Sequence, residues 1–252
     1  FRSAPVARWN SLQRSRTEMD SPIGVLKFAS AGDRLVGDPG MEGTFTFPVC
    51  YGTVPGSYRD LIEGSQEACT NLCAAAKALE RQGAWALAGD CGLMALYQKE
   101  IADSVRVPVV SSSLVLLPMI QQMLGETLKV GVLTGHSLLL QKKHLEAVGA
   151  DIEKLVIQGM ETQPHFCRVV IEGEDKQDYN KMLHDVLDAV EQMLHRCDVI
   201  GAILLECSNL TTFAREVAEH FDMPVFDVNM AIRMLYRSRR SDCYRAENIL
   251  KI

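Results

Sequence analysis

The chain has 252 residues, a formal charge of −6, 47% hydrophobic and 23% charged residues. That length suits one large α/β domain or two small lobes, and the balance is that of an ordinary globular protein. It argues against a nucleic-acid binder, because the basic cluster Arg233, Arg237, Arg239 and Arg240 is too short for a binding stripe and reads as a solvated helix end.

No apolar run reaches membrane-spanning length, so neither nucleic acid nor membrane is expected as a partner. Residues 1–20 carry Arg2, Arg8, Arg14 and Arg16 without the apolar core of a secretory signal, which predicts a polar N-terminal arm. Eight cysteines stand at 50, 69, 73, 91, 167, 197, 207 and 243 with no C-x-x-C pair, which predicts free thiols and a cytoplasmic setting. Cys69 and Cys73 are placed to share one helix face, and core packing is the expected role.

In chain order, IGVLKF (23–28) predicts a buried strand. The glycines at 32, 37, 40 and 43 match neither a P-loop nor a G-x-G-x-x-G turn, which predicts a flexible cleft-side loop. Leu61, Ala68, Leu72, Ala76 and Leu79 predict a helix over 61–81, stopped by Gly83. A strand in GAWALAGDCG (83–92) follows, then an amphipathic helix through Leu93, Met94, Tyr97 and Ile101, then VPVV. Gly125 suits a hinge. KVGVLTG (129–135) opens a second series, with a helix at 138–148 ending at Gly149 and a strong stripe over 179–194. DVIGAILLECS (198–208), a helix through Phe213, Val217, Ala218 and Phe221, and MPVF close it.

These segments form a repeat. Gly-Val-Leu recurs at 24–26 and 131–133, and an acid–cysteine pair ends each later strand, Asp90-Cys91 and Glu206-Cys207. Pro108 and Pro224 each stand 17 residues past the cysteine (108 − 91 and 224 − 207). Each half thus reads strand, helix, strand, Cys, helix, strand. Such alternation implies two α/β lobes with parallel sheets covered on both faces, and a pseudo-twofold between them would set their strand ends against each other across a cleft. The expected organisation is an arm at 1–20, a first lobe at 21–126, a second at 127–225, and a segment at 226–252 packing back on the first lobe.

Cys91 and Cys207 fall where a strand gives way to a helix, the position that faces the crevice in open parallel sheets. The N–H groups opening the next helix stabilise an anion there, either a thiolate or a substrate carboxylate. One thiol on each side of a bound carbon can remove a proton from one face and return it on the other, inverting a stereocentre without metal or cofactor. Asp90 and Glu206 are expected to cap turns or hold the crevice through backbone N–H groups, with direct base chemistry the lesser reading.

On GVL at 24–26, GDCG at 89–92, VPVVSSS at 107–113, GVLT at 131–134, LLECSNL at 204–210 and MPVFDV at 223–228, the sequence resembles the aspartate/glutamate/hydantoin racemase superfamily. The resemblance covers about residues 21–236 and implies two Rossmann-like α/β lobes with a cleft between them, and a thiolate/thiol pair working by two-base proton transfer without a cofactor. It also implies carboxylate binding by backbone N–H groups and small hydroxyls, which here indicates Gly92, Ser112, Ser113, Thr134, Gly135, Ser208 and Asn209. GDPGMEGTFTFPV (37–49) resembles a loop near the cleft mouth.

Gly92 and Leu93 replace the Asn-Thr of glutamate racemases, Ser208 and Asn209 their Thr-His, and Lys27 and Phe28 their Asp-Ser. The sequence is closer to the hydantoin racemase and arylmalonate decarboxylase branches, although it keeps two cysteines, as maleate isomerases do. The expected function is a racemase or epimerase acting on a small carboxylate or cyclic amide. The alternatives are a decarboxylase or cis–trans isomerase of the same superfamily, and a binding protein without turnover. A homodimer is the expected assembly.

Overall fold

The computed structural model describes residues 21–28, 34–174 and 176–238. The arm at 1–20, Gly32, Arg239, Arg240 and Cys243 lie outside the described residues.

The first sheet is built from β1 (Ile23–Phe28), β2 (Val49–Val54), β3 (Ala86–Gly89) and β4 (Val109–Val110) in the order β2-β1-β3-β4, all parallel. The second repeats it with β5 (Lys129–Thr134), β6 (Leu155–Gly159), β7 (Ile200–Leu205) and β8 (Val225–Phe226) in the order β6-β5-β7-β8. The central strands are nearly fully buried, as sheets covered on both faces require.

The helices are α1 (Tyr58–Glu63), α2 (Gln66–Arg81), α3 (Gln98–Ser104), α4 (Leu117–Leu124), α5 (Lys142–Glu146), α6 (Pro164–Phe166), α7 (Tyr179–Arg196), α8 (Ala214–Phe221) and α9 (Val228–Ser238). Helix α2 covers one face of the first sheet, and α7 covers the matching face of the second. The opposite faces are covered crosswise: α9, from the end of the described chain, packs on β1 and β3, whereas α4, which precedes β5, packs on β5 and β7.

The repeated Gly-Val-Leu has a packing cause. A Cβ at Gly24 would stand 3.1 Å from Leu79 of α2 and 2.6 Å from Leu87, and one at Gly131 would stand 2.6 Å from Met193 of α7. Each glycine lets the covering helix settle directly on the central strand.

Three expectations need correction. Each lobe has four strands rather than three, because β2 and β6 are half-buried edges with little apolar contrast. The helix expected over 61–81 is two helices, since Gly64 turns left-handed (φ 79°) and Ser65 caps α2 by accepting the Ala68 N–H. The helix expected over 138–148 shrinks to α5, with Leu138 78% exposed ahead of it. Among the described residues, no helix is long and apolar enough to cross a membrane.

Candidate active site

Strand β3 ends at Gly89 and β7 at Leu205, and each is followed by its acid and its cysteine. Both cysteines have extended backbone and stand at the N-cap of a 3-10 helix, Gly92–Tyr97 after Cys91 and Ser208–Phe213 after Cys207. Each 3-10 turn then relaxes into α-helix, α3 or α8, where the sequence predicted a single amphipathic helix. The N–H of Leu93 faces the Cys91 sulfur. Asn209 offers its backbone N–H and its side-chain amide, 3.6 Å away, to Cys207. Both thiols open on one cleft of about 640 Å³ between the lobes.

Burial pushes the Cys207 thiol up to about 12, and the Glu206 carboxylate adds to the rise. The same two causes, in that order, lift Cys91 well above an ordinary thiol. The nearby N–H groups oppose this but do not overcome it, so both groups rest as thiols at neutral pH.

The two acids differ in their partners. Asp90 is 2% exposed, accepts the Phe28 N–H at 2.9 Å and pairs with Arg34 at 2.8 Å. Arg34 also pairs with Asp38 at 2.7 Å. Burial lifts Asp90 to about 6, although Arg34 and the Phe28 N–H pull the other way. Glu206 accepts the Thr134 hydroxyl at 2.6 Å and the Gly135 N–H. Burial raises its pKa against these donors. A Cβ at Gly92 would fall 1.6 Å from Glu206 Oε1, so the carboxyl reaches from the second lobe onto the backbone beside Cys91, and only glycine leaves room.

Of the residues singled out in the sequence, Gly92, Thr134, Gly135, Ser208 and Asn209 line the cleft with the two cysteines. Ser112 and Ser113 do not. They are buried behind the Cys91 turn, where Ser112 Oγ accepts the Leu114 N–H at 3.0 Å and Ser113 Oγ donates to the Glu206 carbonyl at 3.5 Å. The loop after Arg34 ties the lobes together, since the Gly37 carbonyl accepts Thr211 Oγ1 at 2.7 Å and Asn229 Nδ2 at 2.6 Å.

Tyr58, Arg34 and Phe166 also line the cleft, and nothing in their sequence context marked them. Tyr58 lies near both sulfurs and Asp90. Burial first, and then the Cys91, Asp90 and Cys207 side chains, raise its phenol well above the usual range. A π-turn, Cys167–Ile171, supplies the apolar wall through Val169 and Val170. The buried Asp185 carboxylate anchors its approach by accepting the N–H groups of His165 and Phe166 at 2.7 and 2.8 Å. Among the described residues, no group of three or more His, Cys, Asp or Glu side chains is arranged to hold a metal ion.

Residues 46–234, three quarters of the chain, match the model of the Asp/Glu/hydantoin racemase family. The chain belongs to the Asp/Glu/hydantoin racemase family. Membership places it among enzymes that work without a metal or pyridoxal phosphate.

Among its relatives, dimethylsulfoniopropionate lyase of Durusdinium sp. clade D is 29% identical over 214 residues, covering 81% of this chain and 70% of the relative. Dimethylsulfoniopropionate lyase 6 of Emiliania huxleyi (strain CCMP1516) is 27% identical over 217 residues. There the match covers 81% of this chain but only 56% of the relative, so the chain spans little more than half of that protein. Among solved structures, arylmalonate decarboxylase aligns with a TM-score of 0.53 at 19% identity, covering 81% of this chain and 86% of that one. Allantoin racemase from Klebsiella pneumoniae aligns at 0.56 and 14% identity, covering 85% of each. These structures share the two-lobed fold.

Proposed function

We propose that the chain removes a proton from the carbon next to a carboxylate with one of Cys91 and Cys207, and that a β-substituent carrying positive charge then leaves. The observation that carries this reading is the pair of thiols at matching positions on one cleft whose floor holds more carboxylates than cations. Arg34 is met by both Asp38 and Asp90, and Glu206 adds a further carboxyl. A ligand bearing a cation relieves that surplus, and the aromatic faces of Tyr58 and Phe166 suit an onium group. A cation beside a thiol also favours its ionisation, which thiols lifted this far need.

Dimethylsulfoniopropionate, named for the relatives, has this form: a carboxylate, and a sulfonium on the β-carbon. The thiolate takes the α-hydrogen, the C–H electron pair becomes the α,β double bond, and the C–S pair leaves with sulfur. The products are acrylate and dimethyl sulfide, and the thiol returns its proton to water. In this reading Ser208 and Asn209 face the carboxylate end, because the Thr134 hydroxyl and the Gly135 N–H are already held by Glu206. Ser112 and Ser113 act indirectly, by holding the Cys91 turn.

Racemisation is the second reading, favoured by the presence of a thiol on each lobe. Incubation in D₂O separates the two. With dimethylsulfoniopropionate, elimination is expected to give dimethyl sulfide in the headspace and an equal amount of acrylate by NMR. With chiral carboxylates, hydantoins and amino acids, racemisation would instead give deuterium in an inverted product. If no substrate reacted, both readings would fall.

A further inference from the structure

We infer that Glu206 is a positioning residue whose charge, carried across the interlobe cleft, sets the protonation of both site thiols. It rests on the reading of Cys91 and Cys207 as the working groups, not on which reaction follows.

The geometry is specific. Glu206 directly precedes Cys207, yet its carboxyl lies against Gly92, the residue after Cys91. It is thus close to both sulfurs although it belongs to one lobe. It is 6% exposed, and its position is fixed by Thr134 Oγ1 and the Gly135 N–H. These donors are neutral, and no cation pairs with Glu206 among the described residues, so its charge is not cancelled locally. Asp90, in the equivalent position of the first lobe, is bound to Arg34.

The other titratable or charged groups lining the cleft are Arg34, Tyr58, Asp90, His136, Glu172, Glu174 and Lys176, with Asp38 paired to Arg34 beside it. Three of these are tied in the Arg34 ion pairs, and the Tyr58 phenol stays protonated. Of all these groups, Glu206 is the one whose charge weighs most on both thiols.

A carboxylate beside a thiol makes its thiolate scarcer but more basic. Abstraction from a carbon next to a carboxylate demands a strong base, and Brønsted behaviour rewards one. The site thereby holds strong bases protonated until a ligand arrives.

The test is the pH dependence of iodoacetamide labelling at Cys91 and Cys207, read peptide by peptide by mass spectrometry. E206Q keeps the shape and removes the charge. Labelling of both cysteines is expected to reach its half-maximal rate at least one pH unit lower than in the parent, a gain of about tenfold at pH 8. T134V keeps Glu206 but removes a donor that favours its charged form, and should shift labelling the same way by a smaller amount. It also serves if E206Q does not fold. A purely structural role for Glu206 predicts unchanged profiles in whichever variants fold, and that result overturns the inference. Dimethyl sulfide release by the parent, with no shift in the variants, would sink the inference and leave the proposed reaction standing. The reverse pattern would do the opposite.

Discussion

Replacing either Cys91 or Cys207 with serine is expected to lower turnover by about 10²–10⁴-fold, the usual worth of a positioned acid or base. Serine keeps the extended N-cap and the approach of the Leu93 or Asn209 N–H, so the fold should survive. What is lost is a group whose ionisation a bound cation can bring within reach, since a hydroxyl remains protonated beside Glu206. In the proposed reaction one cysteine takes the α-hydrogen. The other, across the cleft, lends its proton to the carboxylate as charge builds there, which the far less acidic hydroxyl does poorly, so losing it should also cost at least about 100-fold. The measurement is dimethyl sulfide release under saturating substrate, with circular dichroism to confirm folding. If either variant stayed within tenfold of the parent, that cysteine would have no acid–base role.

The second large effect concerns stability. Arg34→Gln leaves Asp38 and Asp90 facing each other without the guanidinium that separates their charges. Removing one partner of a buried ion pair costs about 3–5 kcal/mol, and a loss in that range is expected at pH 8.

The pH dependence follows from Asp90. Its folded pKa is already raised, to about 6, because burial outweighs Arg34, and without Arg34 it rises further. A carboxyl with a raised folded pKa binds its proton more tightly folded than unfolded, so its protonation favours the folded state. The gap between variant and parent should therefore be widest at high pH, narrow as pH falls toward 6, and level off below 6, where Asp90 is protonated in both folded proteins. Urea unfolding at several pH values reads this directly. A gap that did not change with pH would assign the loss to packing instead.

The features legible in sequence were those that repeat under packing constraint. Gly24 and Gly131 recur because a helix sits on each central strand, and Cys91 and Cys207 recur because each leads a strand into a helix. What stayed hidden depends on contacts distant in sequence. The edge strands β2 and β6 lack the continuous apolar run of buried strands. Arg34 gains meaning only when folding brings Asp90, 56 residues away (90 − 34), against it.

The acids are the instructive case. Strand alternation turns a residue next to a crevice-facing cysteine away from the crevice, yet Asp90 and Glu206 both line it. Each sits just past its strand's last residue, in the turn, where the pleat no longer governs direction. The expectation that they hold backbone N–H groups agrees with the Phe28 and Gly135 contacts. Ser112 and Ser113 carry hydroxyls of the right kind, but the turn after β4 spends them on its own backbone and on the Glu206 carbonyl.

The unequal treatment of those two acids has a stereochemical consequence. The halves share one strand order and one placement of sulfur, so the backbone offers a bound molecule two equivalent ways to lie. The ion pair at Asp90 and the neutral donors at Glu206 remove that equivalence, giving the cleft an electrical polarity its scaffold lacks. In the proposed elimination, a zwitterion would meet two unlike ends and settle one way round. Of the two hydrogens on its methylene, which are chemically identical in water, the same one would then face the same sulfur at every turnover. A doubled fold thereby becomes a device for telling left from right.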